Sequence, residues 1–193
     1  NDGALDSEVV TVSLTLNPVA PVIIVPPVAH TQNPGERVVL SVTNTGSRPL
    51  QYQWLKDDEI IEGADSATLV LNPLAESHEG AYHVRISNIV DAISTTPVLV
   101  QVNDPIVFNS QPLSREVSET DEVIFSVDVT GTGPISYQWQ KDGVDIPDET
   151  SSTFRIASAV KADEGSYTVI VSNIVGDYPS QAATLAVVEG KPK

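Results

Sequence analysis

The feature that most constrains this chain is an internal repeat with a spacing of 85 residues. Residues 36–102 align with residues 121–187 without a gap, and 23 of the 67 pairs are identical. The most distinctive motifs align, since Tyr52-Gln53-Trp54 matches Tyr137-Gln138-Trp139. Self-similarity at one fixed spacing predicts two copies of a single domain.

The repeat also places the domain boundaries. Short Pro-containing joints precede both copies, so we predict domains at 21–103 and 104–189, followed by a tail at 190–193. Residues 1–20 are predicted to be the terminal strand of a truncated upstream domain plus a linker, because the apolar alternation at 10–16 matches the end of each copy. With no initial Met, the sequence is expected to be cut from a longer chain.

Within each copy the apolar residues recur at every second position, which is the period of a β-strand with one buried face. Tyr52 and Trp54 alternate with Gln residues, and Tyr82 and Val84 alternate in the same way. Turn-forming residues such as Asp142-Gly143 separate the runs. Many short strands without a helical period predict an antiparallel sandwich or barrel.

The residues at fixed points of these strands resemble the immunoglobulin fold, most closely its I-set branch. Trp54 and Trp139 match the family's core Trp. The motif Asp-x-Gly-x-Tyr appears at 163–167, which identifies Tyr82 and Tyr167 as the tyrosine corners of the two copies. The resemblance implies an all-β chain of two tandem immunoglobulin-like β-sandwiches. With short Pro-containing joints, we expect an elongated, semi-rigid arrangement preceded by an orphan strand.

The chain departs from the family at its disulfide. Valines occupy the positions where the family places its two cysteines, and the chain contains no Cys. These positions are Val42, Val84, Val127 and Val169. Cysteine-free copies of this fold resemble those strung in tandem along large bacterial secreted or surface proteins, so we expect an extracellular or cell-surface location.

Charge and motifs exclude several classes of function. A net charge of -16 argues against nucleic acid and anionic membranes as partners, and the apolar runs are too short for membrane insertion. No nucleophile elbow, phosphate loop or zinc-protease motif is present, and His30, His78 and His83 are scattered. We therefore predict no enzymatic activity, and we expect His83 to face solvent.

Calcium is the metal that the residues favour most, though weakly. Carboxylates at Asp104, Glu76 and Glu79 are candidate ligands beside the second joint, because Ca²⁺ prefers oxygen donors. The first joint, at 17–21, has no acidic residue, so the feature does not repeat with the domain. The stronger expectation is that the chain has no cofactor.

The predicted role is a non-catalytic spacer, or an adhesion and protein-interaction module, with a protein or a surface glycan as partner. The alternative is a carbohydrate-binding module attached to a secreted polysaccharide-degrading enzyme. Sugar platforms need exposed aromatic rings, and only Phe108 and Tyr178 fall outside the predicted inward positions. The orphan strand at 10–16 is also expected to promote self-association through a sheet edge.

Overall fold

The computed structural model describes residues 17–189, and in this range the chain is all-β with two sandwiches, as predicted. The predicted strand at 10–16 and the tail at 190–193 lie outside the described residues. The strands of the first sandwich are β1 (Val22–Val25), β2 (His30–Gln32), β3 (Val38–Ser41), β4 (Thr43–Thr45), β5 (Gln51–Lys56), β6 (Glu59–Ile60), β7 (Thr68–Leu71), β8 (Gly80–Ser87), β9 (Ala92–Ser94) and β10 (Val98–Val102).

The second sandwich repeats these elements in the same order. Its strands are β11 (Val107–Ser110), β12 (Arg115–Ser118), β13 (Val123–Ser126), β14 (Asp128–Thr130), β15 (Ser136–Lys141), β16 (Val144–Asp145), β17 (Thr153–Ile156), β18 (Gly165–Ser172), β19 (Asp177–Pro179) and β20 (Ala183–Val188). One short 3-10 helix lies in each repeat, at Glu76–His78 and Lys161–Asp163. No helix among the described residues is long and apolar enough to cross a membrane.

Each sandwich consists of a larger sheet and a smaller layer. The larger sheets have the orders β2-β10-β8-β5-β6 and β12-β20-β18-β15-β16, with β9 and β19 added beside β8 and β18. The smaller layers contain the pairs β1-β4 and β3-β7, and β11-β14 and β13-β17. Pairing is antiparallel except where β2 and β12 run parallel to β10 and β20. Every described strand pair stays within one repeat.

The cores consist of the apolar residues that alternate along these strands. The eight residues that the resemblance implied as core are all buried: Trp54, Trp139, Tyr82, Tyr167, Val42, Val84, Val127 and Val169. The second core also holds an aromatic cluster, in which the Phe125 ring lies 4.8 Å from that of Tyr167 and 6.2 Å from that of Trp139. Apolar packing therefore fills the positions that a disulfide occupies in the family.

The hairpin between β5 and β6 has a left-handed Asp at a position where its counterpart has Gly, although each turn also has a left-handed Asp one residue earlier, Asp57 and Asp142. Asp58 has φ of 67° in this turn, while the matching position between β15 and β16 is Gly143 with φ of 80°. A left-handed conformation costs an L-residue more than Gly, which has no Cβ. The sequence indicated both turns, and the structure shows that only the second has the less costly residue.

Replacing Asp58 with Gly is expected to raise the free energy of unfolding of the first sandwich by about 0.5 to 1 kcal/mol, because Gly relieves the left-handed strain. Urea unfolding followed by near-UV circular dichroism measures the change. The reciprocal variant, Gly143→Asp, should destabilise the second sandwich by a similar amount. If both variants lower stability, turn strain does not control this position.

Candidate functional site

One asparagine in each repeat joins the preceding linker to the sandwich that follows it. Asn173 follows β18, and its Nδ2 donates hydrogen bonds to the carbonyl oxygens of Asp104 at 2.8 Å and Thr132 at 3.0 Å. The backbone N–H of Asp104 donates to the Thr132 Oγ1 at 2.7 Å, and the Thr132 N–H returns a bond to the Asp104 carbonyl at 3.1 Å. We call this arrangement of Asn173, Asp104 and Thr132 the second linker clamp.

The same arrangement recurs 85 residues earlier. Asn88 Nδ2 donates to the carbonyl oxygens of Val19 at 2.7 Å and Ser47 at 3.0 Å. The Val19 N–H donates to the Ser47 Oγ at 2.8 Å, and the Ser47 N–H donates to the Val19 carbonyl at 3.0 Å. Asn88, Val19 and Ser47 form the first linker clamp, so the structure repeats here as closely as the sequence does.

Each clamp asparagine also fixes the turn in which it lies. The Asn173 Oδ1 accepts hydrogen bonds from the N–H groups of Val175 at 2.9 Å and Gly176 at 3.3 Å. An asparagine side chain thus uses its amide donor for the linker and its oxygen for the turn. Because one side chain makes both sets of hydrogen bonds, it fixes the position of the linker relative to the turn after β18.

Close packing against glycine completes each clamp. Gly131 has φ of 151°, and a Cβ at this position would lie 2.9 Å from the Pro105 carbonyl oxygen. Gly46 has φ of 138°, and its Cβ would lie 2.9 Å from the Pro21 Cα. The linker prolines therefore occupy space that only glycine leaves free.

Replacing Gly131 with Ala is expected to lower the free energy of unfolding of the second sandwich by about 1 to 2 kcal/mol. The new Cβ would collide with the linker backbone, and the alanine would have to adopt a strained φ. Differential scanning calorimetry measures the change. Gly176→Ala is the matched control, since its Cβ would have no neighbour closer than 3.7 Å. Equal effects of the two substitutions would contradict the packing argument.

The residue before the second linker clamp is held as well. Asn103 is 7% exposed, its N–H donates to the Gln32 carbonyl at 2.9 Å, and its Nδ2 donates to the Asn33 Oδ1 at 2.7 Å. Asn103 therefore belongs to the end of the first repeat, whereas Asp104 is bound by the second linker clamp. The joint consists of two adjacent residues that each have hydrogen-bond partners.

One of the three calcium candidates, Glu79, uses its carboxylate in a structural contact. The Glu79 Oε1 accepts a hydrogen bond from the Val102 N–H at 2.8 Å, and Glu164 does the same for the Val187 N–H at 2.9 Å in the second repeat. The pKa of the Glu164 carboxyl is lowered, first by the hydrogen bond from Lys161 and then by that from Val187. Among residues 17–189, no group of three or more His, Cys, Asp or Glu side chains is placed to hold a metal ion, so Glu76, Glu79 and Asp104 do not converge on one site.

The tyrosine corners lie beside this carboxylate contact. The Tyr167 hydroxyl donates to the Asp163 carbonyl oxygen at 2.6 Å. Burial raises the pKa of Tyr167 to about 12, with smaller contributions from Asp163 and Asp142. The pKa of Tyr82 is also raised, again mainly by burial and secondly by Asp57. The Tyr167 phenol therefore stays protonated at neutral pH, as its hydrogen bond to the Asp163 carbonyl requires.

Two sequence expectations about side-chain exposure change. His83 was expected to face solvent, but its side chain is only 13% exposed. Its Nδ1 lies 3.8 Å from the Asp58 Oδ1. Phe108 and Tyr178, the two rings left over by the sequence pattern, pack against the second core. Every aromatic ring in the described range is buried or half-buried, so these residues form no exposed ring platform of the kind that binds a sugar.

Comparisons with known proteins agree with this architecture. The I-set immunoglobulin domain family matches residues 106–187, and a second immunoglobulin domain family matches residues 20–88. Human neogenin is 27% identical over 172 residues, a match that covers 82% of this chain but only 12% of neogenin. The chain thus spans about an eighth of the length of this relative.

Solved structures show the same fold at low sequence identity. The titin I-band fragment I67-I69 has a TM-score of 0.74 and 22% identity, covering 91% of this chain and 67% of the fragment. A complex described as Dpr11 IG1 bound to DIP-gamma has a TM-score of 0.60 and 17% identity, covering 86% of this chain and 98% of the matched chain. These likenesses concern the fold alone.

Proposed function

We propose, from the premise that residues 20–88 and 106–187 are two immunoglobulin-type domains in tandem, that the chain is a non-catalytic spacer and protein-interaction segment of a larger protein. The observation that carries this proposal is the pair of linker clamps. A segment that only displays other domains needs joints that resist bending, and each clamp binds the incoming linker to the body of the following sandwich.

The clamps support a semi-rigid joint for a physical reason. A flexible linker needs several residues whose backbone torsions are free. Here Asn103 and Asp104 are adjacent, and the backbone and side chain of the first and the backbone of the second are hydrogen-bonded. Pro105 follows directly and restricts its own φ. We therefore propose that this joint has few free backbone torsions.

A protein complex among the structural neighbours supports an interaction role. The Dpr11 IG1 structure is described as bound to DIP-gamma, so one structural neighbour is captured in a protein complex. The identity of 17% does not carry the partner over to this chain. It supports only the proposal that a face of these sandwiches contacts another protein.

We further propose an extracellular, bacterial setting for the parent protein. The four valines at the disulfide positions make the sandwiches independent of oxidation, and the chain has no Cys at all. An acidic surface with a net charge of -16 supports solubility and discourages binding to nucleic acid. The sequence of the full-length parent tests this setting: an export signal would support it, and intracellular flanking domains would contradict it.

A glycan array tests the spacer proposal against its alternative. The chain is expected to give no specific signal, because the described range offers no exposed aromatic ring. The test uses the two-domain chain, with a known carbohydrate-binding module as the positive control. Several structurally related glycans bound above background would replace the spacer proposal by the carbohydrate-binding alternative.

A further inference from the structure

The first sandwich has a groove on the outer face of its larger sheet. Its volume is about 540 Å³, and its walls include Leu50–Gln53 of the β5 region, Ile60 of β6 and Arg85 of β8. Arg85 and Ile60 are exposed, and Ile60 retains 61% of its accessible surface. Asp65 and Ser87 complete the lining, so the groove combines one cation, one anion, an apolar side chain and a stretch of strand backbone.

The backbone in this groove belongs to an open strand edge. β6 pairs with β5 only through Leu55 with Ile60 and Lys56 with Glu59. Trp54 directs its backbone away from β8, since its N–H donates to the Ala64 carbonyl. Backbone direction alternates along a strand, so the N–H and C=O of Tyr52 point the same way as those of Trp54.

No described strand lies opposite Tyr52 on that side. Tyr52 is in register with Ile86 of β8, and the neighbouring pair of Trp54 with Val84 shows that these pairs do not exchange hydrogen bonds. Val84 forms its hydrogen bonds with Thr95 instead. The Val84 N–H donates to the Thr95 Oγ1 at 3.1 Å, and the Val84 carbonyl accepts from the Thr95 N–H at 3.0 Å. An unpaired donor and acceptor on a strand edge are a template for an added strand.

Arg85 supplies a cation beside this edge, and Asp65 supplies an anion in the same groove. Arg85 lies opposite Gln53 in the register of β5 and β8, and its guanidinium has no described hydrogen bond or ion pair, with Asp65 or any other of residues 17–189. The matching residue in the second repeat is Ile170, so the cation is particular to the first sandwich. In a chain with 26 acidic and 10 basic residues, an arginine left without a carboxylate partner is complementary to an anionic group from elsewhere.

We propose that this groove binds an extended, acidic peptide segment of a partner protein by strand addition. The peptide pairs with the N–H and C=O of Tyr52, a Glu or Asp side chain contacts the Arg85 guanidinium, and an apolar side chain two positions away lies on Ile60. Side chains two apart lie on one face of a strand, which fits the common face of Arg85 and Ile60. This inference deepens the proposed interaction role and rests on it.

The test uses designed peptides with the chain as it exists. The acidic probe is the fluorescent octapeptide Ser-Thr-Val-Thr-Glu-Thr-Val-Ser, the basic probe has Lys in place of Glu, and the third is the acidic probe N-methylated at alternate residues. We expect the acidic probe to bind the wild-type chain at least tenfold more tightly than the basic or the methylated probe. Titration by NMR should shift the Tyr52 amide first.

Substitutions at Arg85 separate charge from folding. Arg85→Glu should weaken the acidic probe at least tenfold and favour the basic probe, while Arg85→Ile, the residue of the second repeat, should weaken the acidic probe and remove the preference between the two probes. Arg115→Glu, an exposed arginine of the second repeat, should change neither. No binding of the acidic probe, equal binding after methylation, or equal binding by Arg85→Glu each overturn the proposal. Such a failure leaves the spacer role intact, because that role is tested by scattering.

Discussion

Replacing Trp139 with Ala is expected to lower the free energy of unfolding of the second sandwich by about 3 to 5 kcal/mol, the usual cost of deleting a buried Trp. Its indole is fully buried, and its Nε1 donates to the Ser151 carbonyl at 2.9 Å. The ring also lies 6.0 Å from that of Phe154. The substitution therefore leaves a cavity, an unpaired carbonyl and a disrupted aromatic cluster.

Urea unfolding followed by NMR measures this loss, since the amide signals of the two sandwiches are read separately. Val144→Ala is the control, because Val144 is 70% exposed on β16 and should change stability by less than about 0.5 kcal/mol. Signals of the first sandwich should keep their midpoint. A loss below about 1 kcal/mol for Trp139→Ala would show that this Trp is not the centre of the core.

The second large effect is expected at the second linker clamp. Asn173→Asp keeps the oxygen that accepts from the turn but removes the amide that donates to the carbonyls of Asp104 and Thr132. Two lost hydrogen bonds cost about 1 kcal/mol each, and the new carboxylate faces two carbonyl oxygens. We expect a loss of about 2 to 3 kcal/mol at pH 7 for the second sandwich.

The pH dependence of this variant is a second readout. A protonated Asp side chain regains one donor, so part of the loss should disappear below pH of about 4, the ordinary pKa of Asp. Asn17→Asp makes the same change of charge at an exposed residue without a described hydrogen bond, and it should be neutral. If Asn173→Asp is as stable as the wild type, the clamp does not hold the linker.

The sequence predicted the sandwiches because their determinants are periodic and local. The structure repeats its strands with the 85-residue spacing of the sequence. It also contains the predicted alternation along β5 and β8 and places the repeated Trp and Tyr residues at matching positions. Burial of Val42 and Val84 follows from that alternation. The strand order was not predicted from the sequence, and neither was the parallel pairing of β2 with β10 and of β12 with β20.

The clamps could not be read from the sequence in the same way. Asn88 and Gly46 are identical in both repeats, which was a usable signal, but identity does not reveal that Asn88 contacts Val19, 69 residues earlier. The groove was also invisible, because it depends on how few residues of β6 pair with β5. The prediction that His83 faces solvent was wrong for a similar reason. The alternation of β8 places its side chain on the outer face, but Asp58 of the neighbouring hairpin lies beside it there.

We propose that each linker is a fixed part of the sandwich it precedes, as a spacer requires. Small-angle X-ray scattering of the two-domain chain, compared with Asn173→Asp, tests it most directly. We expect one narrow distribution of dimensions for the wild type and a broader distribution for the variant. Equally broad distributions for the two proteins would contradict the proposal that the clamp fixes the linker.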